Sequence, residues 1–111
     1  MYFSDEKHAT EFKQLGKTHD NEYLAAYYIL TADEELRRKA ARYIKTDGIN
    51  WEGIWNQDWS SGYALLLKLA QCLFQSSGSV DLAYGLKTWD DERFNLAMQA
   101  IYIRRNGVGV E

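Results

Sequence analysis

Asp58-Trp-Ser-Ser-Gly-Tyr-Ala-Leu-Leu-Leu-Lys-Leu-Ala-Gln-Cys-Leu-Phe-Gln-Ser-Ser-Gly78 carries one long apolar run. Between Tyr63 and Phe74 only Lys68 and Gln71 are polar, and Gln75 follows. Spaced i, i+3 and i+7, these three form one narrow strip on a helix. The rest of the circumference is apolar, which predicts a helix over about 60–76 enclosed by neighbours on most sides. The flanking segments are more amphipathic and need an apolar partner, which this helix is expected to supply. The fold expected is therefore an all-α bundle of about five main helices around residues 60–76, in one domain spanning 1–111.

Working outward, Ser4 is an N-cap candidate, with Asp5 and Glu6 in the first turn of a helix over 4–15. His8, Phe12 and Leu15 give it an apolar stripe, and Gly16 a stop. Asp20 or Asn21 starts a second helix through Leu30, with Tyr23, Leu24, Tyr27 and Tyr28 inward. Thr31-Ala-Asp-Glu34 matches a capping box before a third helix, with Leu36, Ala40, Tyr43 and Ile44 inward and Asp47-Gly48 at its end. Asn50 caps a short helix carrying Trp51, Ile54 and Trp55. Past the loop at Ser77, Gly78 and Ser79, one helical turn is expected over 81–86. Thr88 is expected to cap a last helix with Phe94, Ala97, Met98, Ile101 and Tyr102 on its core face. Gly107 ends it, and residues 106–111 are expected to fray.

The 111 residues suit one core, 46% hydrophobic content argues against disorder, and the absence of proline leans towards helices. A net charge of −3, with no strongly basic segment, disfavours nonspecific nucleic-acid binding. No run reaches the roughly 20 apolar residues of a membrane helix. No secretory signal is recognisable at the start. The single cysteine, Cys72, sits in the apolar run, where a small inert thiol in a reducing cytosol is expected. The expected location is cytoplasmic.

Few residues suggest chemistry. His8/Glu11 and His19/Glu22 are His-x-x-Glu pairs of the kind metal-binding bundles use, but the further glutamates such sites need are missing between Gly62 and Ser79. His8 is expected to pack near Phe3 instead. Ser60-Ser61-Gly62 lacks the Gly-x-Ser-x-Gly context of a nucleophile elbow and is expected to cap a helix. No phosphate-binding glycine loop occurs. No enzyme activity, metal or cofactor is expected.

Two features could meet nucleic acid. Arg37, Arg38, Arg42 and Lys45 lie on the third helix, the last three at i, i+4 and i+7. Residues 81–105 superficially resemble a helix-turn-helix, but Asp90, Asp91 and Glu92 stand where a recognition helix enters the groove. The acids Asp33, Glu34, Glu35, Asp90, Asp91 and Glu92 could instead form a phosphate-like track towards a basic partner, although each also suits its helix dipole. Trp51, Trp55 and Trp59, spaced i, i+4 and i+8, are either core cover or partly exposed anchors; Trp89, Tyr27 and Tyr28 join them as candidates.

Phe3-x-x-x-x-His8-x-x-x-Phe12, Tyr28-Ile-Leu-Thr-Ala-Asp-Glu-Glu-Leu36, Ser60-Ser-Gly-Tyr-Ala-Leu-Leu-Leu-Lys-Leu-Ala70, Arg93-Phe-Asn-Leu-Ala97 and Ile101-x-Ile-Arg104 give the chain a further resemblance. It resembles small helical proteins of Gram-positive phages and integrative mobile elements. The resemblance brings no catalytic residue. It implies a protein of the host-cell cytoplasm that binds and blocks host machinery, and anti-CRISPR proteins are similar in size and acidity. The function expected is a non-enzymatic protein-binding module, an inhibitor of a host nuclease or defence complex, with a basic protein as partner and a homodimer compatible. The alternative is a nucleic-acid-associated accessory protein using the basic third helix.

Overall fold

Short polar side chains mark where the helices begin, because the first amides of a helix lack internal partners. A computed structural model describes residues 1–15, 20–45 and 48–108. Its elements are α1 (Glu6–Leu15), α2 (Asn21–Leu30), α3 (Glu34–Ala40), a 3₁₀ turn (Ala41–Tyr43), β1 (Ile44–Lys45), β2 (Gly48–Ile49), α4 (Trp51–Trp55), α5 (Ser61–Gln75), α6 (Leu82–Thr88) and α7 (Asp91–Asn106). The all-α expectation holds, with one two-stranded antiparallel ribbon added, pairing Ile44 with Ile49 and Lys45 with Gly48.

Several caps fall beside the residue expected. Asp5, not Ser4, caps α1, its carboxylate accepting the His8 amide at 2.7 Å. Asp33, not Thr31, caps α3 and accepts the Leu36 amide at 2.9 Å. Thr31 still belongs to the end of α2, where its hydroxyl donates back to the Tyr27 carbonyl at 2.7 Å. Asp90, not Thr88, caps α7, accepting the Arg93 amide at 2.9 Å. A carboxylate beats a hydroxyl at these sites because it is charged and favoured by the helix dipole. Asn50, Ser60 and Asp81 cap α4, α5 and α6. The third helix stops at Ala40, so Tyr43 and Ile44 continue in the 3₁₀ turn and ribbon. Gly16, His19, Asp47 and residues 109–111 of the tail lie outside the described residues.

The enclosed helix is α2 rather than 60–76. Residues 24–32 are all buried, and α2 packs chiefly against α5 and α7. That stretch has no charged side chain, and its tyrosines reach carbonyls: Tyr27 donates to Lys45 at 2.9 Å and Tyr28 to Tyr2. Helix α5 buries Tyr63, Leu66, Leu67, Leu69 and Ala70, while Ala64, Leu65, Leu73 and Phe74 are half-buried and Lys68 and Gln75 exposed. The side of α5 that meets solvent is wider than the three polar residues, because Ala64, Leu65 and Cys72 beside them are only half-buried.

The end of α2 is clamped by its neighbours. Three carbonyls there are taken by side chains from other segments: Tyr28 by His8, Thr31 by Arg37 at 2.9 Å, and Ala32 by Ser4. The His8 ring is fully buried, with Phe3 edge-on at 5.1 Å. Its Nδ1 accepts the Ser4 amide at 3.1 Å, so Nε2 carries the proton that it donates to Tyr28 at 2.8 Å. Burial chiefly pushes its pKa below the usual 6.5.

The core face of α7 is rotated away from the one expected, and only Ala97 belongs to both. Leu96, Ala97, Ala100 and Ile103 are buried, whereas Phe94, Ile101 and Tyr102 are exposed and Met98 half-buried. Both faces are apolar, so periodicity could not choose between them. Helices α2 and α7 pack on each other, and the small buried Ala25, Ala26, Ala97 and Ala100 suit a close approach.

Gly53 shows how tightly α4 is seated. A Cβ there would stand 2.2 Å from the Tyr43 ring. Alanine favours a helix interior by about 1 kcal/mol over glycine, yet Gly53→Ala is expected to destabilise the fold by about 1–3 kcal/mol through overpacking. Urea titration of the variant checks it; a stabilised protein would show the Tyr43 ring free to move aside.

Candidate functional site

Four of the aromatic candidates are core. Tyr27, Tyr28, Trp51 and Trp89 are all buried. The Trp89 ring lies over α6, so close that a Cβ on Gly85 would sit 2.7 Å from it, and its indole donates to the Gly62 carbonyl at 3.2 Å. Those contacts bolt α6 to the start of α5, which corrects the reading of Trp89 as an anchor. Trp59 is half-buried and held three ways. Its indole donates to Ile54 at 2.8 Å, Lys39 covers its face at 4.8 Å, and Tyr63 lies 5.9 Å away. It staples the entrance to α5.

Trp55 is different. It is half-buried at the end of α4, and its indole donates to Gln71 Oε1 of α5 at 2.9 Å, which fixes the ring's orientation. Tyr84 stands across from it on α6, 47% exposed. Between them runs an open groove of about 660 Å³ lined by Trp55, Ser61, Ala64, Leu65, Lys68 and Tyr84. The α5 residues recur at i, i+3, i+4 and i+7, so the floor is one helix face of small and apolar side chains between aromatic walls. Lys68 supplies a cation and makes no ion pair among the described residues. Such a groove can bury an apolar side chain and hold a carboxylate beside it.

Tyr84 and the exposed face of α5 escaped the sequence reading. Helix α6 buries only Gly85, leaving Leu82, Tyr84 and Leu86 about half exposed. A glycine as a short helix's sole inward residue is the signal that could have found it: the apolar side chains then have nowhere to go but outward.

The acidic candidates are partly brought together. Arg37 of α3 lies 3.6 Å from Asp5, the cap of α1. The Tyr63 hydroxyl donates to Asp33, the cap of α3. Arg93 stacks 4.4 Å over the Tyr63 ring and pairs with Asp90, the cap of α7, at 2.8 Å. The starts of α1, α3, α5 and α7 thus meet through these side chains. Burial, then the bond to Asp33, pushes the Tyr63 phenol up to about 12. The His8 amide, with Arg37 behind it, holds Asp5 below the usual carboxylate range. Glu34, Asp91 and Glu92 are exposed, and Glu35 is paired with Lys39 at 3.1 Å.

The basic stripe does not lie on one helix. Arg37 is largely buried beneath Asp5 and Thr31. Arg38, Arg42 and Lys45 are exposed, but on α3, the 3₁₀ turn and β1 in turn. Both His8 ring nitrogens are occupied, so this member of the His8/Glu11 pair has no lone pair for a metal; His19 of the second pair lies outside the described residues. Among the described residues no three His, Cys, Asp or Glu are grouped to hold a metal ion. Cys72 is half-buried near the Gly78 carbonyl. Among them, too, no helix is long and apolar enough to cross a membrane.

The molecule is thus a small, mostly α-helical domain with an aromatic-walled groove on one helix face and an acidic meeting of helix starts. No protein-family model, curated protein or solved structure matches the chain.

Proposed function

We propose that this chain is a non-enzymatic protein-binding module that holds a short apolar segment of a partner in the groove between Trp55 and Tyr84. One observation carries the reading: an apolar floor between two aromatic walls, with the Trp55 ring already oriented by Gln71. A pre-oriented aromatic loses little entropy on binding, and Trp and Tyr are over-represented among binding hot spots. Lys68 selects a carboxylate flanking the apolar group. Exposed Glu6, Glu34 and Glu92, near the linked helix starts, steer a basic partner. With the resemblance to phage and mobile-element proteins, this supports an inhibitor of a host nuclease or defence complex, of anti-CRISPR type, in the host cytoplasm.

Panning a random peptide library against the wild-type chain tests the reading. Enriched peptides are expected to carry a bulky apolar residue beside Asp or Glu. They are expected to bind a Trp55→Ser/Tyr84→Ser variant about tenfold or more weakly, as loss of one hot-spot residue implies, with its helical content unchanged. Peptides that bind both proteins equally would overturn the groove as the site.

A second reading keeps exposed Arg38, Arg42 and Lys45 as phosphate contacts of a nucleic-acid accessory protein. Its signature is a gel shift that weakens steeply with salt and is lost in an Arg38→Glu/Arg42→Glu variant.

A further inference from the structure

Helix α7 is apolar on two opposite faces, and only one is used within the chain. Outside lie Phe94, 37% exposed, Ile101, 36% exposed, and Tyr102, 60% exposed, with half-buried Met98 among them. Asp91, Phe94, Met98, Ile101 and Arg105 are spaced 3, 4, 3 and 4, the spacing of a seam between two helices. Large apolar side chains in such a row are uncommon on a solvated surface.

About Met98 this face is palindromic in chemistry at four and seven residues' distance, though not at three, where Ile101 is mirrored by Asn95. Asp91 and Arg105 each stand seven residues from Met98, and Phe94 and Tyr102 each stand four. Neither Asp91 nor Arg105 makes an ion pair among the described residues. A stripe facing an unrelated partner needs no such symmetry, whereas a two-fold interface requires the surface to complement itself.

We propose that the chain forms a two-fold dimer in which α7 packs antiparallel against α7 of a second copy, with the axis at Met98. Antiparallel alignment sets Asp91 against Arg105 of the partner subunit and Phe94 against Tyr102 of the partner subunit, twice over. The stripe from Asp91 to Arg105 is about 21 Å long at 1.5 Å per residue, and a shallow crossing near 20° keeps both ends in reach. Beside it, Met98, Gln99, Tyr102, Val108 and Met1 line an open hollow of about 650 Å³. The partner's Phe94, arriving level with Tyr102, enters it. The interface shares no residue with the Trp55–Tyr84 groove and does not depend on that site's function.

Sedimentation equilibrium across concentrations tests the proposal. Wild type is expected at twice the mass of one chain at about 100 µM, well above a dissociation constant in the micromolar range. Asp91→Arg and Arg105→Asp are each expected to raise the dissociation constant about tenfold, since each sets two like-charged pairs together. Circular dichroism is expected to show both variants folded, because both sites are solvent-exposed. Mixing the two single variants is expected to restore the dimer, because each then meets its opposite. A wild-type monomer at this concentration, or single variants that dimerise as wild type does, would overturn it. So would a mixture of the two that stays monomeric.

Discussion

Ile29→Ala is expected to lower stability by about 2–5 kcal/mol, because the side chain is fully buried in α2 and its loss leaves a cavity. In a domain of this size that corresponds to a fall in melting temperature of about 10–30 °C. Leu65→Ala removes a chain of the same size from a half-buried position of α5. It is expected to cost under about 1.5 kcal/mol, since its apolar surface already meets water. The pair, followed by urea denaturation, tests how far the two positions differ in burial. Equal losses would show that Leu65 is as enclosed as Ile29.

His8→Ala is expected to cost about 3 kcal/mol above pH 7. It empties a buried ring site and leaves the Tyr28 carbonyl without its donor. The cost should shrink as the pH falls. Burial holds the folded imidazole below its usual 6.5, so under that pH the unfolded chain takes up a proton that the folded one refuses. Wild type therefore loses stability as the pH drops from 6.5 towards the folded-state value, at a limiting slope of about 1.4 kcal/mol per unit for one proton. The alanine variant lacks that slope. Subtracting the two unfolding free energies at each pH isolates residue 8 from the other titrating groups. A difference that stays flat below pH 6.5 would show that the folded ring accepts a proton freely.

Much of the fold was legible because helix starts and apolar periods are local. Asp20, Asn50 and Ser60 cap the helices expected of them, and His8 packs on Phe3 as its position near the first helix start suggested. The misplaced caps at Ser4, Thr31 and Thr88 share one cause. Each has an aspartate one or two residues on, and spacing in sequence does not tell which of the two side chains takes the first amides. The ribbon was missed because its strands are two residues each, too short for any alternation to show. Of the candidate anchors, Trp51, Trp89, Tyr27 and Tyr28 looked amphipathic, but partners distant in sequence took the Trp89, Tyr27 and Tyr28 polar atoms inside the fold.

Composition and spacing alone settle that this chain is helical, that it has one core, and roughly where each helix begins. These follow from backbone hydrogen bonding and from the period of apolar side chains, both properties of neighbours in sequence. Which of two apolar helices lies innermost, which apolar face of α7 turns inward, and whether a tryptophan is buried or available were decided only in three dimensions. Two helix faces of similar hydrophobicity differ little in transfer free energy. The choice between them falls to steric fit, such as Ala97 and Ala100 coming close to α2, or the Trp89 ring over Gly85, and that fit exists only once distant segments have met.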